Sequence, residues 1–133
     1  MAIKLQDLRA YLLSKPESFE DFPFGPEVVV LKVQGKMFAT LSSNDGLVNM
    51  NLKCDPHEAR ILREIFPAVT PGYHMNKQHW NTVVLNGSIP RGEIERMVDN
   101  SYTLVVCGLP ASKRRTLETG HGRSALYGEP SNP

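Results

Sequence analysis

Residues 71–83 form the part of the sequence that is richest in side chains able to bind a ligand. They read PGYHMNKQHWNTV, which combines side-chain amides, two histidines, one lysine and two large aromatic rings. No aspartate or glutamate occurs between Glu64 and Glu93. Lysine attracts phosphate, amides bond to phosphate or base edges, and aromatic rings stack on bases. The segment therefore predicts a contact site for nucleic acid.

The basic residues are concentrated in the middle of the chain, although the net charge is only +1. Residues 32–91 hold seven lysines and arginines against four acidic residues, whereas residues 1–31 carry an acidic excess. Lys36 follows a predicted turn at Gln34-Gly35, and Lys53 ends a predicted strand. We expect these two lysines to add phosphate contacts if they converge with Lys77 on one face.

A structural role is the alternative for each of these residues. Tyr73 and Trp80 could seal the edge of a sheet against a helix, since a single tryptophan in a small domain is more often packed than exposed. His74 and His79 could fix a loop by bonding to backbone carbonyls. Lysines at strand edges also discourage aggregation without binding anything.

Catalytic and metal sites are poorly supported by the sequence. No nucleophile elbow, zinc-protease, phosphate-loop or dinucleotide-binding motif is present. Cys54 lies three residues before His57, but helix capping explains both positions, and His74 and His79 lack obvious acidic or thiolate partners. The second cysteine, Cys107, is far from the first. We predict a protein that is not an enzyme and has no metal, no cofactor and no disulfide.

The hydrophobic periodicity predicts an α+β fold. With 133 residues and a mass of 14.9 kDa, the chain is long enough for one domain. Helices are indicated by three-to-four-residue spacing of apolar positions, and strands by alternation. In the third element Met37, Ala39 and Leu41 are expected on one face. The predicted elements are a helix ending before Pro16, strands over 27–33, 36–42 and 47–53, a helix starting at Asp55-Pro56, one or two strands including 79–85, and a helix over 90–106.

The flanking and connecting segments are predicted to be irregular. The proline-rich stretch 16–26 and the segment 68–72 are expected to be loops. Residues 1–110 are predicted to be the domain and 111–133 a basic tail, which begins as a helical fringe and becomes disordered. The chain has no apolar run of membrane-spanning length and no signal peptide, so we expect a cytoplasmic monomer that avoids membranes.

The motif in residues 71–80, together with Leu52–Pro56 and Ser101-Tyr102, resembles the small bacterial MmcQ/YjbR family. Members of that family carry a PGYHMNK-x-HW type of signature. The resemblance extends over residues 3–110 and implies a CyaY-like (frataxin-like) fold, in which helices pack on one face of an antiparallel sheet of about five strands. It also implies a double-wing arrangement of loops that has been proposed to bind DNA. Frataxin-type iron binding is not expected, because the first helix and strand lack a dense acidic ridge.

The residues and the resemblance together predict a small DNA-binding protein in which phosphate contacts dominate. The alternative is a protein-interaction or small-ligand module in which residues 73–80 line the site. A neutral, concave surface with Trp80 in its wall would favour the ligand, and a convex positive ridge would favour DNA. The predicted site residues are Lys36, Lys53, Tyr73, His74, Asn76, Lys77, His79 and Trp80.

Overall fold

The computed structural model describes residues 3–44, 46–72 and 75–128. Five helices and six strands lie within these ranges. In chain order they are α1 (Leu5–Leu13), β1 (Ser18–Asp21), β2 (Val29–Val33), β3 (Lys36–Asn44), β4 (Leu47–Lys53), α2 (Pro56–Ile65), β5 (Val69–Pro71), β6 (Trp80–Val84), α3 (Arg91–Cys107), α4 (Ala111–His121) and α5 (Arg123–Tyr127).

The strands form one sheet in the order β1-β2-β3-β4-β6-β5, and every neighbouring pair is antiparallel. This confirms the predicted α+β class, with six strands where about five were expected. The prediction of loops was wrong at two places. Residues 18–21 lie between prolines but contain none, so they are free to pair with β2 as β1. Residues 69–71 pair with β6 as the short edge strand β5.

Local sequence signals explain where α2 begins and how β2 turns into β3. The Asp55 carboxylate accepts hydrogen bonds from the backbone N–H groups of His57 (3.1 Å) and Glu58 (3.3 Å), and Pro56 occupies the first helical turn. Between β2 and β3, Gln34 and Gly35 both have positive φ angles, 51° and 80°. This is the backbone of a two-residue hairpin turn, and it lets β3 fold directly back on β2.

One face of the sheet is buried under the helices. Leu31, Ala39 and Leu52 are directly cross-paired in the register and are at most 2% exposed. Tyr102 from α3 meets the ring of Phe38 edge to face at a centroid distance of 5.3 Å. Its hydroxyl donates a hydrogen bond of 2.7 Å to the carbonyl of Pro16. This face therefore holds the hydrophobic core.

A β-bulge in β3 places Met37 on the opposite face from the one that the sequence predicted. The register shifts between Leu31 and Lys32, so that Leu31 pairs with Ala39 and Lys32 pairs with Met37. Phe38 is the extra residue and turns into the core, where it is fully buried. Simple alternation fails at this point because a bulge adds one residue to one strand.

Ser101 joins this bulge to the end of β4. Its fully buried hydroxyl donates to the carbonyl oxygen of Phe38 (2.5 Å) and accepts from the backbone N–H of Lys53 (2.8 Å). Two backbone groups on neighbouring strands are thereby satisfied by one side chain from α3. Ser101-Tyr102, which the sequence marked as part of a family signature, thus holds α3 against the sheet.

The C-terminal part of the chain was predicted to begin as a helical fringe and then become disordered, but it is helical as far as Tyr127 except at Gly122. Residues 129–133 of the predicted tail lie outside the described residues. Helices α4 and α5 cover residues 111–127, and Leu117 and Leu126 are 0% and 2% exposed. The Thr103 hydroxyl of α3 donates a hydrogen bond of 3.0 Å to the carbonyl of Leu126. Leu117 is the buried residue of α4, and Leu126 is the buried residue of α5. Burial of these two leucines therefore anchors two helices whose other residues are mostly polar.

The two cysteines are in different environments, which leads to a prediction about reactivity. Cys54 is 8% exposed, and burial together with the charges of Glu58 and Asp55 raises the pKa of its thiol to about 11, whereas Cys107 is exposed. Because the thiolate is the reactive form, we expect only Cys107 to react rapidly with Ellman's reagent at about pH 8. Unfolding should expose both thiols, and Cys107→Ser should abolish the fast reaction. Equal rates for both thiols would contradict this.

In the described ranges, no helix has both the length and the apolar character needed to cross a membrane.

Candidate ligand cleft on the open face of the sheet

The face of the sheet that points away from the helices carries a cleft of about 610 Å³. We call this face the open face and this feature the cleft. Its apolar lining consists of Phe24, Val28, Met37, Met75 and Trp80, and its polar lining of Thr40, Ser42, Asn51 and Asn76. None of these nine residues is charged. A volume of this size is within the range of pockets that hold small organic ligands.

A row of linked polar side chains runs across the open face at the floor of the cleft. The Asn51 amide nitrogen donates to the Thr40 hydroxyl oxygen (2.9 Å), and the Asn51 carbonyl oxygen accepts from the hydroxyl of Thr82 (2.5 Å). Thr40, Asn51 and Thr82 are cross-strand partners on β3, β4 and β6. Within residues 3–44, 46–72 and 75–128, neither the second amide N–H of Asn51 nor the hydroxyl proton of Thr40 has an acceptor.

The rims of the cleft come from two connections of the sheet. Phe24 belongs to the β1–β2 connection and is 69% exposed, while Met75, Asn76 and Trp80 belong to the β5–β6 connection and its junction with β6. The side-chain oxygen of Asn76 accepts a hydrogen bond from the backbone N–H of Gln78 (2.9 Å), and the side-chain amide nitrogen of Asn76 has no acceptor among the described residues. The cleft thus offers uncharged hydrogen-bond donors beside aromatic and thioether surface.

A second depression of about 440 Å³ lies between α2 and the β5–β6 connection. We call it the basic recess. It is lined by Pro56, Arg60, Arg63, Lys77 and Gln78, so three of its five residues are cations and none is acidic. Across the described parts of the chain, neither Arg60 nor Lys77 has a carboxylate partner. The basic recess is therefore a site of concentrated positive charge.

Arg63 fixes the backbone of the β5–β6 connection. Its Nε donates to the side-chain oxygen of Asn81 (2.8 Å), and its Nη2 donates to the carbonyls of Lys77 and Trp80. On the other side, a Cβ on Gly72 would lie 2.8 Å from the Cβ of Trp80, a distance too short for any side chain. Gly72 and Arg63 therefore both contact the backbone of Trp80 at the start of β6.

The predicted site residues divide between these two depressions. Asn76 and Trp80 line the cleft, and Lys77 lines the basic recess, where its ammonium donates to the carbonyl of Gly72 at 3.3 Å. His79 has an exposed side chain, and its carbonyl accepts from the N–H of Cys54 (2.8 Å). Tyr73 and His74 lie outside the described residues.

The two predicted strand lysines do not line either depression. Lys53 pairs with Trp80 and shares the open face with it. Lys36 pairs with Val33, whose side chain is fully buried in the core, so it lies on the opposite side from Met37. Lys36 and Lys53 are therefore not brought together on one face, and a single convex ridge of lysines is not formed.

Sequence reasoning missed Phe24, Val28, Met37, Thr40 and Ser42 in the cleft and Arg60 and Arg63 in the basic recess. Alternation in β4 had marked a polar face that contains Asn51, and the same signal in β3 would have found Thr40 and Ser42. Met37 was obscured by the bulge, and the two arginines by their position on a helix with an apolar stripe. Within the described ranges no three histidine, cysteine, aspartate or glutamate residues are grouped to hold a metal ion.

Comparison with known proteins places the chain in a family. The YjbR family model matches residues 13–104, and the chain belongs to that family. It is 34% identical to YjbR of Escherichia coli strain K12 over 113 residues, which cover 85% of this chain and 96% of that protein. It is 37% identical to YbdF of Escherichia coli O157:H7 over 99 residues, which cover 74% and 81% of the two chains.

Solved structures show the same fold. A Deinococcus radiodurans protein with a DUF419 domain superposes with a TM-score of 0.79 at 36% identity, covering 86% of this chain and 87% of that one. A Pseudomonas syringae protein superposes with a TM-score of 0.68 at 29% identity, covering 77% and 98%. The more specific likeness to frataxin stays a prediction.

Proposed function

We propose that the protein is a binding module whose ligand occupies the cleft on the open face. The observation that carries this proposal is the concave, uncharged lining around Trp80, which is the arrangement that the sequence analysis associated with a ligand. The strongly exposed Phe24, the ring of Trp80 and the amide groups of Asn51 and Asn76, which have unused N–H donors as far as the described residues show, favour a flat organic group with acceptor atoms. The fold supplies a rigid floor, since Thr40 and Asn51 are on paired strands.

The chain offers a matched pair of phenylalanines to test this site. Phe24 lines the cleft, whereas Phe22 is also exposed, at 44%, but does not line it. The probe is N-phenyl-1-naphthylamine, a neutral aromatic dye whose emission rises in apolar sites. We expect Phe24→Ala to weaken dye binding about fivefold, the size of effect that removal of one aromatic ring from a binding wall produces, and Phe22→Ala to leave it unchanged. Equal effects of the two substitutions, or no dye binding, would contradict the proposal.

DNA binding through phosphate contacts is the second candidate function. It is supported by three cations near residues 76–80 that lack a carboxylate partner in the described parts of the chain: Lys53, Arg60 and Lys77. Phosphate contacts of this kind release counterions, so affinity for duplex DNA should fall steeply as salt rises.

A salt titration separates this candidate from the first. We expect the double substitution Lys53→Ala with Lys77→Ala to reduce the slope of log K against log salt by about 0.9 for each phosphate that the variant no longer neutralises. Lys4→Ala, which removes an exposed lysine before α1, is the control and should not change the slope. Absence of duplex binding at about 50 mM salt, or a slope insensitive to the double substitution, would eliminate this candidate.

A further inference from the structure

The cleft and the basic recess share one wall. Asn76 lines the cleft and Lys77, the next residue, lines the basic recess. The Cα atoms of these two consecutive residues are about 3.8 Å apart across a trans peptide, so the two depressions adjoin at the β5–β6 connection. The β5–β6 connection is therefore a thin rim between an uncharged aromatic site and a positively charged one.

The basic recess is prepared to receive an anion. The guanidinium of Arg63 is already fixed by Asn81 and by two backbone carbonyls, and its Nη1 hydrogens have no acceptor among the described residues. Arg60 makes no hydrogen bond or ion pair within the described chain, including none with Glu64 four residues later. Because Arg63 is already fixed, it can bond to a tetrahedral anion with little loss of its own side-chain freedom, and Arg60 beside it adds a second guanidinium.

The charge in the recess fits phosphate better than a carboxylate. Three cations converge there without an acidic residue in the lining. A phosphate monoester carries about −1.5 to −2 charges at neutral pH and presents three acceptor oxygens, whereas a carboxylate carries one charge and two oxygens. Gln78 adds a neutral side-chain donor at the same place.

The cleft fits a planar heteroaromatic ring. Trp80 provides a face for stacking, and Asn51 and Asn76 provide amide groups of the kind that recognise the edges of bases. Thr40 at the floor adds a hydroxyl donor. Stacking on an aromatic residue with hydrogen bonds to the ring edge is how unpaired bases are bound in other protein sites.

We propose that the cleft and the basic recess form one site for a nucleotide unit, with the base against Trp80 and the phosphate against Arg60, Arg63 and Lys77. This inference rests on the proposed function, because it requires the cleft to bind a ligand. The ligand is a base joined to a phosphate group. Its source is either a free nucleotide or an unpaired nucleotide within a single strand of nucleic acid.

The experiment follows the fluorescence of Trp80, the only tryptophan in the chain, during titration with three probes. The probes are adenosine, adenosine monophosphate and a 12-residue deoxyadenosine strand. We expect adenosine monophosphate to quench Trp80 and to bind at least tenfold more tightly than adenosine. In the double substitution Arg60→Ala with Lys77→Ala, the monophosphate should bind no more tightly than adenosine does. Both side chains are exposed, so the variant should fold normally.

The outcomes separate this inference from the function on which it depends. In one outcome the neutral dye binds in a Phe24-dependent way, adenosine and its monophosphate bind equally or not at all, and the strand does not bind. The cleft is then a ligand site, and the nucleotide inference is overturned. If the affinity of the strand, divided by its twelve equivalent nucleotides, is still more than tenfold higher than that of the monophosphate and requires Arg60 and Lys77, the natural source is single-stranded nucleic acid. Comparable affinities of strand and monophosphate identify a free nucleotide.

Discussion

Leu117→Ala is expected to destabilise the protein by about 3 kcal/mol, because Leu117 is fully buried where α4 covers the core. Removal of a buried leucine loses its transfer free energy and leaves a cavity that the surrounding side chains fill only partly. For a chain of this length, the midpoint of thermal unfolding should fall by about 10 °C. Urea unfolding followed by circular dichroism measures the change directly.

An exposed helical leucine provides the matched control for this prediction. Leu5 in α1 is 45% exposed, so Leu5→Ala should change the free energy of unfolding by less than about 1 kcal/mol. If the two substitutions had equal and small effects, α4 would not be packed on the domain. The same measurement therefore decides whether residues 111–127 belong to the cooperative fold.

Ser101→Ala should cost about 3 kcal/mol although it removes only one oxygen atom. The substitution leaves the carbonyl of Phe38 and the N–H of Lys53 without the partner that the Ser101 hydroxyl provides to both. Each unsatisfied buried group costs about 1–3 kcal/mol, and the new methyl group cannot replace either bond. Chemical unfolding of the variant gives the free energy, and hydrogen exchange at the Lys53 amide should accelerate.

Two comparisons test the mechanism behind this loss. Tyr102→Phe removes a single hydrogen bond, to Pro16, and should cost about 1 kcal/mol, clearly less than Ser101→Ala. Ser112→Ala alters an exposed serine in the first turn of α4 and should be close to neutral. A Ser101→Ala effect no larger than that of Ser112→Ala would show that the bridging hydroxyl contributes nothing to stability.

The elements with a strong local signal were predictable from the sequence. The capped start of α2 at Asp55, the turn at Gln34-Gly35 and the long helix α3 were all placed within one or two residues. Features that depend on pairing between distant residues were not predictable in this way. The strand β1 pairs with β2, and the bulge at Phe38 is contacted by Ser101 and Tyr102 of α3, which lie more than 60 residues further along the chain.

The candidate site was predicted at the level of one segment, and its geometry was not. The sequence singled out Asn76, Lys77 and Trp80 by their types and by the absence of acidic neighbours. It could not show that Asn76 and Lys77 would lie on opposite sides of a rim. The partners of Trp80 come from β3, β4 and the β1–β2 connection, and only the folded sheet brings these distant residues together.

The alternation along β3 and β4 has a consequence for how this protein can diverge. Ala39, Leu41 and Leu52 serve the core, while the interleaved Thr40, Ser42 and Asn51 serve the cleft. The two sets share a backbone, but their side chains point to opposite faces of the sheet. Related chains could therefore acquire different ligand preferences by changing every second residue of two strands, with the hydrophobic interior kept intact.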